Sequence, residues 1–154
     1  MDCELRIREQ SAIFSSESEL PVSQRPTISA DALHAFIRAV LERAGMLSEH
    51  AATAADVLMY ASRRGVDTHG IRNLLPIYVR EIEQQSVNLR PTYKIEHETP
   101  ISARVNGDKG NGLVAATWAM KLAMEKAQQS GMGMVAVHNS RHYGAAGYYT
   151  WLSA

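Results

Sequence analysis

The spacing of apolar residues changes at Pro91, and that change bounds what the chain can fold into. Before it, apolar side chains recur at helical intervals: Leu33, Phe36, Ile37, Val40, Leu41 and Ala44 in one run, Ala54, Val57, Leu58 and Ala61 in a second, Leu75, Tyr78, Val79 and Ile82 in a third. After it, Thr92 to Glu98 and Ile101 to Val105 read as two strands, with Thr99-Pro100 between them and Gly107-Asp108 as the following turn. Leu113, Ala116, Met120, Ala123, Met124 and Ala127 then mark one face of a long helix. Met134-Val135-Ala136-Val137 is a short apolar run of the kind found in a buried strand, and Tyr148 to Ala154 opens another helix. Three helices, two strands, a helix, a strand and a helix start define an α/β (α+β) chain.

Local signals place the ends of these elements. Ser29 is an N-cap for the first helix, with Asp31 in the first turn to complement the helix dipole, and Gly45 stops it. Ser48 starts the second, which ends at Arg63-Arg64-Gly65, and the pair forms a helical hairpin. Pro76 is expected in the first turn of the third helix, since it would break an interior. Residues 1–26 are polar, rich in Ser, Glu and Gln, and read as a loosely ordered arm or as sequence from a start codon placed too early, with a short strand at Leu5 to Ile7 as an option. The expected organisation is an arm at 1–26, a helical subdomain at 27–90 and an α/β portion at 91–154.

Sixteen basic residues offset sixteen acidic ones, so no basic stripe supports a nucleic-acid partner. Cys3 is the only cysteine among the 154 residues and excludes an internal disulfide. No apolar run approaches the roughly 20 residues of a membrane span, and the start lacks the apolar centre of a signal peptide. The expectation is a cytoplasmic protein with neither membrane nor nucleic-acid partners.

Two loops carry residues capable of chemistry. Asp67-Thr68-His69-Gly70-Ile71-Arg72 sets an imidazole, a hydroxyl and a guanidinium close together, enough to grip a carboxylate, though the same residues also suit a turn in which Asp67 and Thr68 cap the next helix. Asn139-Ser140-Arg141-His142-Tyr143-Gly144-Ala145-Ala146-Gly147 follows the last apolar run. Its His142 has the pKa range to take and give a proton near neutrality, and Gly144 and Gly147 permit close approach by backbone or ligand. A surface histidine in a strand–helix turn is the plain alternative. His138 and His142 are four apart, but His138 ends a strand and no acidic or cysteine cluster adjoins them, so no metal site is expected. The clusters Gly107-Asp108-Lys109-Gly110-Asn111-Gly112 and Gly131-Met132-Gly133 match neither the dinucleotide fingerprint nor a P-loop and read as turns. His34, His50 and His97 have no company in the sequence and are expected at the surface.

Together these segments resemble the malate/L-lactate dehydrogenase family, which includes ureidoglycolate and sulfolactate dehydrogenases. The resemblance runs from about Ile28 to Ala154 and rests on Arg64-Gly65-Val66-Asp67-Thr68-His69-Gly70, Tyr78-Val79-Arg80-Glu81-Ile82, Asp108-Lys109-Gly110-Asn111-Gly112, and Val135 to Gly144. It implies NAD- or NADP-dependent interconversion of a small 2-hydroxy acid and its 2-oxo acid, on a mixed-sheet, non-Rossmann nicotinamide-binding domain that begins at 91–154. It implies His142 as the acid/base that takes the hydroxyl proton as hydride leaves the same carbon. Thr68, His69, Arg72 and Tyr78 would meet the substrate, and Asn139, Ser140 and Gly144 the cofactor. In the usual family loop an arginine follows the Ser or Thr by five residues; here Asn73 stands there and Arg72 comes one earlier.

Family members usually have more than twice as many residues. The resemblance therefore implies the amino-terminal portion of an enzyme that assembles as a homodimer, with little cofactor binding expected from this portion alone. The alternative is an inactive remnant, or a half that pairs with a separate chain and acts as an interaction module. An independent helical module built on the first hairpin and the Thr68 loop would leave residues 92–154 dispensable, which the strand at 134–137 argues against.

Overall fold

A computed structural model describes residues 27–154; the arm at 1–26 and its optional strand lie outside the described residues. Ser29 caps the first helix, α1 (Ala30–Arg43), by accepting from the Ala32 amide at 3.2 Å, and Ile37 and Leu41 are its buried residues. Gly45, at φ +108°, turns the chain into α2 (Ser48–Arg63). The face expected on α2, Ala54, Val57, Leu58 and Ala61, is wholly buried. Its alanines let neighbouring helices come close, and α2 packs against α1 and against the three helices that follow it in the chain.

A single 3₁₀ turn (Asp67–His69) leads through Gly70 into α3 (Ile71–Glu83). The Ser62 hydroxyl accepts from the Ile71 amide at 3.0 Å, satisfying an amide at the helix start from a neighbouring helix. A Cβ at Gly70 would stand 2.7 Å from that same oxygen, so any larger residue there displaces the Ser62 hydroxyl from its bond to Ile71. Pro76 lies inside α3 and not in its first turn. The helix begins at Ile71, earlier than its apolar face suggests, because Ser62 caps it there. Pro76 then takes an exposed position, where its ring meets solvent and the cost is one rung of the backbone ladder.

The second half holds a three-stranded sheet in the order β1 (Lys94–Glu98), β2 (Ser102–Asn106), β3 (Met134–His138). β1 and β2 are antiparallel, with a register shift between Ile95 and His97; β2 and β3 are parallel and joined through α4 (Gly112–Ser130). Asn111 caps α4 and Gly131, at φ +77°, ends it. The α4 side of the sheet buries Ala103 and Val105 and half-buries Val135 and Val137. The other side is open among the described residues. The expected buried strand at 134–137 is thus an edge strand with one covered face, and Met134 is 57% exposed. Its run of apolar residues reflects a second face that no described residue covers, a distinction that periodicity alone does not make.

The main core gathers Ile37, Leu58, Tyr78 and Leu113 with Tyr148 and Tyr149 of α5 (Gly147–Leu152), so residues from both sides of position 91 share it. Among the described residues no helix is long and apolar enough to cross a membrane.

Candidate active site

The loop from Asn139 to Ala146 follows β3 and is tied down at almost every residue. Asn139 turns at φ +51°; its amide nitrogen donates to Asn106 Oδ1 at 2.8 Å and its carbonyl accepts from Lys109 N at 2.7 Å. The Arg141 amide donates to the Gly110 carbonyl at 3.2 Å, and the Arg141 guanidinium donates to the Ser86 carbonyl. The Tyr149 hydroxyl donates to the Tyr143 carbonyl. Gly112, at the start of α4, completes the seat: a Cβ there would lie 2.1 Å from the Arg141 carbonyl oxygen and 2.3 Å from that of His142. The glycine-rich turn at 107–112 is therefore packed against the protein itself, with Ser140 at Gly107 and Pro91 at Gly110, and serves as a support for this loop.

His142 sits exposed at the crest of the loop. Its Nδ1 lies 3.1 Å from the Tyr78 hydroxyl and accepts from the Gly144 amide at 3.2 Å. Nε2 has no hydrogen-bond partner among the described residues. The ring stacks on His69, with centroids 5.6 Å apart and planes 22° apart, and His69 Nδ1 is 2.9 Å from the Thr68 hydroxyl. Two segments about 70 residues apart in sequence thus meet ring to ring. Tyr78, by contrast, is only 1% exposed, and burial pushes its phenol well above the usual tyrosine range, so its hydroxyl keeps its proton.

Of the residues expected at the site, the structure brings His142, His69, Thr68 and Tyr78 together. Arg72 stands exposed on the first turn of α3, and Asn73 closes the loop by donating to the Asp67 carbonyl at 2.8 Å. Asn139 and Ser140 line a separate polar cleft of about 350 Å³ with Ser86, Lys109 and Arg141. Gly144, at φ +72°, faces the core: a Cβ would meet Leu113 Cδ2 at 2.6 Å, so its bareness serves packing. Asn106 and Arg141, which anchor the loop, carry no sequence signal of a site role. Their role depends on a strand partner and a helix end that lie far away in the chain.

The other histidines are less solitary than expected. His34 Nε2 pairs with Asp56 Oδ1 at 2.9 Å, a contact across the helical hairpin that spacing within one helix does not show. His138 Nε2 lies 2.8 Å from Glu96 Oε2 on the open side of the sheet, and this hydrogen bond holds the Glu96 carboxyl below its ordinary range. Among the described residues no three His, Cys, Asp or Glu side chains gather as metal ligands would.

The family profile described as malate/L-lactate dehydrogenase matches residues 28–154. The malate dehydrogenase of Pyrococcus abyssi is 45% identical over 127 residues, covering 82% of this chain and 35% of that protein. The ureidoglycolate dehydrogenase (NAD(+)) of Escherichia coli K12 is 37% identical over 127 residues, covering 82% of this chain and 36% of its own length. The solved malate dehydrogenase of Pyrococcus horikoshii superposes with a TM-score of 0.82 at 41% identity, over 84% of this chain and 37% of that one. The chain spans about a third of the length of these relatives. The helical hairpin, the small mixed sheet and the meeting of the Thr68 and His142 loops all fall inside the matched region, and the chain belongs to the malate/L-lactate dehydrogenase family.

Proposed function

We propose that this chain carries the proton-transfer side of a nicotinamide-dependent dehydrogenase that interconverts a small 2-hydroxy acid and its 2-oxo acid. The observation that carries the reading is the pose of His142, with Nδ1 held from the core side, the ring stacked on His69, and Nε2 without a hydrogen-bond partner among the described residues. Nε2 gives a proton to the substrate oxygen in reduction and takes it back in oxidation. Thr68 and His69 bound the substrate from the other loop, and the Arg72 guanidinium engages its carboxylate. When bound, the nicotinamide supplies the hydride acceptor for the same carbon.

The fit to that cofactor is partial. The glycine-rich turn at 107–112 is packed against protein atoms, and Gly144 is occupied with Leu113. Ser140, exposed and with a long 3.4 Å contact to the Arg141 carbonyl, is the best placed of the three expected cofactor residues. The reading takes NAD or NADP as cofactor, a homodimer as the working enzyme and the cytoplasm as its location.

A second reading, that this is a half completed by a separate chain, is favoured by the open side of the sheet at Met134, Ala136 and His138. One experiment addresses both. The chain is co-expressed with the carboxy-terminal two-thirds of the P. abyssi relative, and NADH and NADPH oxidation is followed with a panel of 2-oxo acids. Turnover that His142→Ala lowers by about a thousandfold is the expected result. Turnover unaffected by that substitution would remove His142 from the chemistry, and no turnover at all would favour an inactive remnant.

A further inference from the structure

Tyr78 is the one expected substrate residue whose surroundings argue against contact with substrate. Its ring belongs to the main core, it is 1% exposed, and its hydroxyl points at His142 Nδ1. The Gly144 amide points at the same nitrogen. These two neighbours differ in one chemical respect. An amide N–H only donates, so it suits Nδ1 solely when that nitrogen is bare. A hydroxyl donates to a bare Nδ1 and, by rotating, accepts from a protonated one.

An imidazole that exchanges a proton at Nε2 keeps its Nδ1 proton throughout the exchange. When Nε2 is bare and ready to accept, the neutral ring carries its proton on Nδ1; when the Nε2 proton has been received, Nδ1 is still protonated. The Gly144 amide opposes both states, and the Tyr78 hydroxyl satisfies both. Among the described residues, the groups facing this ring are His69 through its stack, Tyr143 at a centroid distance of 6.2 Å, and Tyr78; Glu81 adds a carboxylate near Tyr78.

We infer that Tyr78 is a positioning residue whose buried hydroxyl holds His142 at Nδ1 through both protonation states, and that it is not a substrate ligand. The inference rests on the dehydrogenase reading for its purpose, but its test reads the hydrogen bond directly and does not need turnover.

The test uses the 154-residue chain labelled with ¹⁵N at histidine and ¹³C at tyrosine. In Tyr78→Phe the His142 Nδ1 resonance is expected to move, and the ring's proton to redistribute towards Nε2, because the donating Gly144 amide becomes the sole partner. In His142→Ala, a substitution at an exposed position, the Tyr78 Cζ resonance is expected to move in turn. The second variant keeps the test open should Tyr78→Phe fail to fold. An Nδ1 resonance unchanged in folded Tyr78→Phe, or a Tyr78 Cζ unchanged in His142→Ala, would overturn the inference. Either result would leave the dehydrogenase reading to stand or fall on the co-expression assay.

Discussion

Gly144 and Gly131 have nearly the same backbone conformation, φ +72° and φ +77°, but very different neighbourhoods. Nothing lies within 4 Å of a Cβ built on Gly131, whereas one on Gly144 meets Leu113 Cδ2 at 2.6 Å and Val57 Cγ1 at 3.2 Å. Alanine at 131 therefore costs only left-handed strain, about 1–2 kcal/mol. Alanine at 144 adds overpacking against a fully buried leucine, for a total of about 2–5 kcal/mol. Urea denaturation of the two variants measures the difference; equal losses would mean that Leu113 moves aside without cost. The sequence shows both glycines equally well. Which of them is packed is set by α2 and α4, and no local pattern around Gly144 carries that information.

At the level of elements, Lys126 ties helix to sheet. It is 7% exposed on α4, and its ammonium donates to Glu98 Oε1 at 2.7 Å and to the Thr99 carbonyl at 2.9 Å, anchoring the β1–β2 turn. Methionine at 126 keeps most of the stem but leaves that carbonyl without the lysine, at a cost of about 1–2 kcal/mol. The same substitution at the exposed Lys121 is expected to change little, and thermal melts of the two compare them directly. If Lys126→Met melts with the wild type, the tie is incidental. The α-helices and strands among the described residues are legible from spacing and turn residues, while the 3₁₀ turn at Asp67–His69 reads only as a loop; Ser29 and Gly131 behave as helix punctuation. What spacing missed was environment. Ser62 moved the start of α3 back and left Pro76 inside it, and the run at 134–137 gave no sign that one face of β3 stays open. A lysine in mid-helix likewise gives no hint of a turn about 28 residues away.

For the molecule as a whole, the residues that meet at His142 come from both sides of Pro91, and the core does too. The resemblance made the meeting of Thr68, His69 and His142 legible in advance, because two short motifs at a fixed separation are enough to name it. It did not reveal that the glycine turn and Gly144 face protein, which depends on the atoms packed against them. That packing carries a prediction about binding. A nicotinamide dinucleotide gains much of its hold from contacts to its phosphates, and here each glycine of the 107–112 turn faces protein atoms: Ser140 at Gly107, Pro91 at Gly110, and the Arg141 and His142 carbonyls at Gly112. Were NADH bound with a Kd of about 10 μM, about 1 mM ligand would stabilise the fold by about 2.7 kcal/mol. For a chain of this size that is a rise of roughly 5–10 °C in Tm. The expected rise for the chain alone is below about 1 °C, measured by differential scanning calorimetry at matched ionic strength, since the phosphates also screen surface charge. A rise of several degrees that persists in Ser140→Ala would place the cofactor on residues other than Ser140 and its polar cleft. A rise abolished by that substitution would instead give the His142 loop a cofactor role of its own, independent of the two-thirds that the relatives add.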